Sequence, residues 1–596
     1  MCGIMAVKGK DCVGDVITGL KALEYRGYDS AGIACKVENK IEIKKALGYV
    51  QNLEDISNEI RSDIAIGHTR WATHGGVNIS NSHPHSSSCG RFSIVHNGII
   101  ENHRELKNEY LANVQFTSET DTEVAVQLMS KFYNGNVFET FKKVISMLEG
   151  SYAIVMINSI DDNIYFARKS SPMVVSKTES KIMLSSDVNG FKDKSNIYYV
   201  DDDNIGYIDN NIHVFDKNYT NINVQYVDLT YLGESVDLSG FGHYMHKEIY
   251  EIPSSLQSSF AMLQQCRFRL PKKIDRILMV ACGTSYHSTL IGKKYIEQFA
   301  GIKCECEIAS EFIYNNYLST PNTLAIFISQ SGETADTLTA LKKCKSMGMY
   351  TLAITNVAGS TITRIADSCV LMNCGAEICV ASTKAYTSQV FLLLMLSNIL
   401  INHSKGNYIE SDDCVTFEWR NTSNYLDYTD GDLDELFALD VSAFEESAKQ
   451  VAETINKTNA MHLIGKDYDY ISAMEGSLKI KEVSYIFTDA YACGELKHGT
   501  LSLIDNESIV LAIMTDEKLV DKCNNAMHEI TARGGKCILV SPFDTHDVSV
   551  RLPRLNKLFM PIVSIVPIDL IAYRVACLRG YNPDRPRNLA KSVTVE

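Results

Sequence analysis

The chain begins Met1-Cys2-Gly3-Ile4. A small residue at position two lets the initiator methionine be removed, which leaves a thiol and a free α-amine on one residue. Reference pKa values near 8 for the amine and about 8.5 for the thiol let one deprotonate the other near neutrality. That is a nucleophile carrying its own base. An early cysteine can equally be incidental, so its neighbours in the fold must decide. Residues 67–75 (GHTRWATHG) carry Arg70 in a strand-to-loop segment, where a guanidinium can grip a carboxylate with two parallel bonds or make a surface ion pair. His96-Asn97-Gly98 offers a side-chain amide and an adjacent backbone N–H, the donors an oxyanion needs, although Asn-Gly is also a turn signal. Residues 118–123 (SETDTE) open a helix with capping-box spacing, and Asp121 there can face an ammonium or act as a cap. Residues 24–32 (EYRGYDSAG) form a polar, glycine-bearing turn that walls a pocket or ends a helix.

A second set lies further along. The apolar strand Arg276–Ala281 runs into Cys282-Gly283-Thr284-Ser285, and residues 324–328 (LAIFI) run into Ser329-Gln330-Ser331-Gly332-Glu333-Thr334. Hydroxyls and backbone N–H groups between the end of a strand and the start of a helix are where a parallel sheet holds phosphate, though serine-rich turns also cap helices. No Walker lysine and no G-x-G-x-x-G follows, which favours a small phosphorylated ligand over a nucleotide. Lys479 and Glu482, three apart on a helix, share one face, where a surface ion pair is the plain expectation. Residues 494–499 (GELKHG) present His498 in a glycine-flanked loop, and the tail 585–596 carries Lys591 on a segment apolar enough to dock.

The elements that must position these groups fall into blocks. A length of 596 residues implies three or four domains, and 45% hydrophobic with 22% charged residues is globular composition. Net charge −15 argues against a nucleic-acid surface. The 17 cysteines form no C-x-x-C pair and no leader precedes them, so reduced thiols in the cytoplasm are expected. Cys304 and Cys306 are expected on the two faces of a strand. The longest apolar run, 390–401, is too short for a bilayer and is expected as a buried helix. Residues 1–238 mix short β-runs and helices in batches, as in an α+β sandwich. After a linker at 239–254, strands alternate with long helices, and the pattern recurs: 255–410 and 435–596 read as two copies of one parallel α/β domain. Between them, 411–434 reads as a solvated acidic connector with a helix inside it.

Cys2, Arg70, Asn97-Gly98 and Asp121 together resemble the glutaminase domain of N-terminal-nucleophile amidotransferases, across residues 1–238. The second set is similar to the two sugar-isomerase (SIS) domains of the glutamine–fructose-6-phosphate aminotransferase (isomerising) family. That likeness covers nearly the whole chain, residues 243–249 (HYMHKEI) included. It implies an αββα N-terminal-nucleophile domain followed by two SIS domains with parallel sheets. The implied reaction moves the amide nitrogen of L-glutamine to D-fructose 6-phosphate, without a cofactor or metal. By resemblance Cys2 attacks the amide, and Asn97 and Gly98 hold the oxyanion. Arg26, Arg70, Trp71, Thr73, His74, Gly75 and Asp121 hold glutamine, with Trp71 as a candidate gate. Thr284, Ser285, Ser329, Gln330, Ser331, Thr334, Val380 and Ala590 hold the sugar phosphate. Lys479, Glu482, His498 and Lys591 act on the sugar, and His498 comes from the neighbouring subunit of a homodimer. No nucleic-acid or membrane partner is implied. The sequence departs from the family pattern at Thr500, where proline is usual, and at Ile252, where glutamine commonly precedes the proline. His83 and His85, flanking Pro84, read as structural. Another amidotransferase would need a phosphoribosyl-pyrophosphate or S-G-G-x-D-S loop, and neither is found. A silent sugar-phosphate sensor would need the reacting positions replaced, and they are present.

Overall fold

The computed structural model describes residues 2–71, 75–228, 237–318, 320–410, 414–419, 423–544 and 548–594. The chain divides into two units, Met1–Ser235 with Ala590–Glu596, and Val236–Leu589.

The first unit is built on period-two alternation. In the strand Gly3–Lys8, Ile4 and Ala6 enter one apolar core while Met5 and Val7 enter another. The same split recurs in Gly150–Asn158, where Ala153, Val155 and Ile157 oppose Tyr152, Ile154 and Met156. Both strands are therefore apolar on both faces, which requires a sheet covered on each side. Two seven-stranded antiparallel sheets result. Gly3–Lys8 lies inside the first, flanked by Ile64–Arg70 and Ile182–Ser185. Phe92–Ile100 and Gly150–Asn158 lie side by side in the second. The shared core of Ile4, Ile66, Val95 and Val155 joins the sheets. Helix Val13–Ala22 covers the outside of the first, and helices Asp121–Phe132 and Val137–Ile145 cover the second. This is the αββα sandwich.

The second unit contains the repeat. Strands Lys303–Ile308, Arg276–Ala281, Thr323–Ser329, Tyr350–Thr355 and Ser368–Leu371 lie in that order as a parallel sheet. Strands Phe487–Ala492, Ala460–Gly465, Ile509–Ile513, Lys536–Ser541 and Val548–Arg551 repeat the same order, also parallel. In each sheet the first and third strands of the copy are neighbours. Their helices leave in opposite directions there and open a crevice at the carboxyl ends. Two helical stretches, Lys384–Ser404 and Lys557–Leu578, are long and apolar enough to cross a bilayer, but 100% and 94% of their most apolar windows are buried inside this protein.

Three expectations change. Residues 239–254, read as a linker, contain helix Tyr244–Tyr250 and the start of helix Ile252–Gln265, with Met245, Ile249 and Ile252 in the main core. The acidic connector holds the expected helix, Asp430–Phe437, capped by Thr429 and Asp432, but it is not solvated throughout. Strand Cys414–Glu418 pairs antiparallel with Arg267–Pro271, and alternation carries Val415 and Phe417 into the core while the aspartates stay outside it. Asp412 and Asp413 lie outside the described residues. Cys304 and Cys306 do not point to opposite faces: side chains two apart on a strand leave the same face, and both pack on the same core, with the Cys306 thiol donating to the Thr289 carbonyl at 3.3 Å.

Phe417 is 1% exposed and stacks on Phe268 with ring centroids 5.9 Å apart. Phe417→Ala should therefore destabilise the second unit by about 3–5 kcal/mol, read as a lower denaturation midpoint. The exposed connector change Asp434→Asn should leave that midpoint within error.

Candidate active sites

The thiol is placed by strand register. Gly3 pairs with Thr69 and its N–H donates to Thr69 Oγ1 at 3.1 Å, so Cys2 falls beside the end of strand Ile64–Arg70. The Cys2 Sγ accepts from the Trp71 N–H at 3.2 Å. Burial pushes the thiol pKa up, while the Trp71 N–H and the guanidiniums of Arg70 and Arg26 pull it back. The Cys2 carbonyl accepts from Asn97 Nδ2 at 2.9 Å and from Arg26 Nε at 3.3 Å. Arg26 also pairs with Asp187 at 2.9 Å, so it braces the Cys2 backbone. Gly98, next to Asn97, has φ +129° and lies against Ser151, whose carbonyl oxygen would sit 2.0 Å from an added Cβ. Only glycine fits there.

Asp121 is the first residue of its helix. Its carboxylate accepts from Ile100 N–H at 2.7 Å and Thr122 N–H at 2.9 Å, which aims a fixed negative charge beside the Asn97-Gly98 strand. The cap differs from the expected box, because Glu123 reaches back to the N–H groups of Thr117 and Ser118. Arg70 donates to the carbonyls of Gly75 and Gly76, both at 3.2 Å. Burial lowers its pKa, and the charges of Cys2, Asp29 and Asp121 act against that. Trp71 meets Tyr28 edge-on at 5.5 Å. Cys2, Asn97, Arg70 and Asp121 are thus gathered in one place. Thr73 and His74 lie outside the described residues.

A layer of histidines behind this cluster escaped the sequence reading, apart from His83 and His85 as structural groups. His68 stacks on His83 with centroids 4.2 Å apart, and His83 meets His85 at 4.7 Å. Thr122 Oγ1 ties His83 to His96, at 3.0 and 2.9 Å. The signal was available: His68 and His96 sit on the two strands that carry Arg70 and Asn97.

In the second unit, the adjacent strands Arg276–Ala281 and Thr323–Ser329 deliver their loops side by side. Ser329 Oγ meets Thr334 Oγ1 at 2.9 Å and accepts the Gly332 N–H at 3.1 Å, closing a tight cradle. Gly332 needs its φ of +68°, and an added Cβ would lie 2.2 Å from Ser360 Oγ. Ser331 Oγ accepts the Glu333 N–H, and the Gln330 carbonyl accepts from the Asn356 N–H and the Thr355 hydroxyl. Ser285 Oγ accepts from Gln389 at 3.0 Å. Lys479 is fully buried on helix Tyr468–Ser484, with Nζ 2.7 Å from Glu482, 3.4 Å from Glu475 and 3.0 Å from Thr284 Oγ1. Burial works to lower its pKa, yet Glu482 and Glu475 outweigh burial and raise it. Glu475, unremarked in the sequence, is the hub, because it also binds His287 at 2.6 Å and Thr284 at 3.0 Å. Lys479 and Glu482 are therefore not a surface pair: the helix of the second copy presents them to the loop of the first. His498 is exposed at the end of the short helix Glu495–His498. The Val380 N–H is occupied by the Asp584 carbonyl at 3.2 Å. Ala590 and Lys591 group with the first unit.

Two geometries thus coexist, a thiol beside amide donors and a buried lysine paired with Glu482 beside strand-end hydroxyls. Family models match accordingly: a glutamine amidotransferase domain over residues 68–193 and an SIS domain over 272–399 and again over 454–549. Along its full length the chain is 38% identical to the glutamine–fructose-6-phosphate aminotransferase (isomerizing) of Clostridium acetobutylicum, covering 100% of both chains. The chain belongs to the glutamine–fructose-6-phosphate aminotransferase (isomerizing) family. The aminotransferase of that name from Staphylococcus aureus is 40% identical, again over 100% of both chains. Among solved structures, the C-terminal domain of the glucosamine-fructose-6-phosphate aminotransferase from Francisella tularensis matches with TM-score 0.52 and 32% identity, covering 59% of this chain and 100% of that one. The αββα-then-two-SIS architecture is the architecture of this aminotransferase family.

The histidine layer has a consequence for stability. Burial holds His68 neutral, with its pKa pushed down to about 3, and drives those of His83 and His85 well below the ordinary value; the nearby Arg70 guanidinium adds to this in all three. Once unfolded, each takes up a proton near pH ~6.5. The unfolded chain then binds more protons, so stability falls as pH drops below about 6.5, by up to ~1.4 kcal/mol per pH unit for each histidine. The melting temperature of the first unit should fall between pH 7 and 5. His85→Gln, which keeps a donor for Thr120, should flatten that fall, and an unchanged slope would contradict the assignment.

Proposed function

We propose that this chain transfers the amide nitrogen of L-glutamine to D-fructose 6-phosphate with isomerisation, giving L-glutamate and D-glucosamine 6-phosphate. One observation carries the reading: a single chain holds Cys2 under the Asn97 amide and, separately, Lys479 and Glu482 at the hydroxyl loops of a parallel sheet. Residues 1–238 release ammonia, and the copies at 255–410 and 435–596 use it.

After removal of Met1, the Cys2 α-amine takes the thiol proton, the thiolate adds to the glutamine amide carbon, the same proton leaves with ammonia, and water then cleaves the glutamyl thioester to give L-glutamate and the free thiol. Asn97 gives one N–H to the Cys2 carbonyl and keeps a second for the oxyanion, joined by the Gly98 N–H. Arg70 and Asp121 take the carboxylate and ammonium ends of the substrate, and Arg26, Trp71, Thr73, His74 and Gly75 shape the pocket. In the sugar half, Thr284, Ser285, Ser329, Gln330, Ser331 and Thr334 bind the phosphate and hydroxyls, with Val380 and Ala590 beside them. His498 of a second copy opens the ring, so the working form is a homodimer. Lys591 forms a Schiff base at C2, and ammonia replaces it. Glu482 carries a proton from C1 to C2, and Lys479 steadies the carbonyl oxygen. The reaction needs no cofactor, and the free thiols suit the cytoplasm.

The test compares glutamate release with glucosamine 6-phosphate formation, beside mass spectrometry of the mature N-terminus. Cys2→Ala should abolish both activities from glutamine. Glu482→Gln should cut amino-sugar formation by roughly 10²–10⁴-fold, the range for loss of a general acid–base group, while glutamate release persists. Full amino-sugar synthesis from a protein that retains Met1 would refute the reading.

A further inference from the structure

The orientation of Asn97 is the weak point of the oxyanion site. A carboxamide turned end for end keeps its shape, and would then aim a carbonyl oxygen at the charge it must stabilise. Asn97 Nδ2 faces the Cys2 carbonyl at 2.9 Å, and Oδ1 faces His68 Nε2 at 3.1 Å. The Cys2 oxygen only accepts, so the amide nitrogen belongs on that side and the amide oxygen on the histidine side. His68 Nε2 also faces the His96 backbone carbonyl at 3.0 Å, a second group that only accepts. Both contacts require the proton on Nε2. A flipped Asn97 would set its NH2 group against that N–H.

We propose that His68 is a positioning residue for the glutaminase half-reaction, its Nε2–H locking the Asn97 amide so that the NH2 group faces the oxyanion. This rests on the reading of Cys2 as a glutamine-cleaving nucleophile. The ring is well suited to a fixed donor. It is fully buried, and its face is stacked on His83. Among the described residues its Nδ1 has no hydrogen-bond partner, so nothing competes for the other tautomer. Burial, the Arg70 charge and the His96 ring keep it uncharged throughout the neutral range.

Three variants of the full chain separate locking from packing. Gln places an amide N–H where Nε2 stands, Asn places one where Nδ1 stands, and Ala places none. Removing one oxyanion donor costs on the order of 10²–10³-fold in kcat. His68→Ala and His68→Asn should therefore lower the kcat of glutamate release by at least about tenfold, with KM for glutamine within about threefold. His68→Gln should recover most of the loss. Alkylation of Cys2 by iodoacetamide should proceed at the wild-type rate in all three, which reports an intact nucleophile. Wild-type kcat in His68→Ala, equal losses in the Gln and Asn variants, or a loss confined to KM would overturn the proposal. A wild-type protein that releases no glutamate would instead overturn the reading of Cys2, and the His68 proposal with it.

Discussion

The pairing of Gly3 with Thr69 governs the first half of this molecule. It sets one strand register, and a slip by one residue would turn every side chain of Gly3–Lys8 to the opposite face. Because Ile4 and Ala6 serve the core between the sheets while Met5 and Val7 serve the helix side, either wrong register would misfit both. Packing of the whole sandwich thereby fixes where one thiol lies. Trp71, Asn97 and Arg26 meet Cys2 through its backbone or sulfur, with little freedom left to it.

The second half depends on a different constraint, an ammonium with no access to water. Lys479 is buried with carboxylates at 2.7 and 3.4 Å, and removing either leaves charge uncompensated. Glu475 is satisfied in turn by His287 and Thr284. Toward solvent the network opens at Glu482, whose side chain keeps 17% of its exposure, and at His287, which keeps 13%. Asp569, on the neighbouring helix Ile565–Leu578, is fully buried, and burial with Glu475 and Glu482 pushes its pKa well up against the pull of Lys479.

Much of this was legible from residue order. The short β-runs of the first half, the repeated strand–helix pattern and the thiol at position two each reflect local rules, and together they led to the right architecture. What was illegible depends on tertiary neighbours. Glu475 looks like any helical glutamate until a loop 191 residues earlier meets it. His68 precedes an arginine that drew attention, and its partner Asn97 is 29 positions away. The strand Cys414–Glu418 was hidden by the aspartates around it, since composition averages over the two apolar residues that decide its fate. Cys304 and Cys306 were misread through the period of the strand itself.

The two α/β copies share one strand order but have divided their labour. The first contributes hydroxyl-lined loops and the second a charged helix, and they touch where Thr284 meets Glu475 and Lys479. A functional centre split this way cannot be inherited in halves. Trimming the gene to either repeat would part the hydroxyl loops from the charged helix and cut through the one apolar core that both copies build, which ties the persistence of the duplication to its seam.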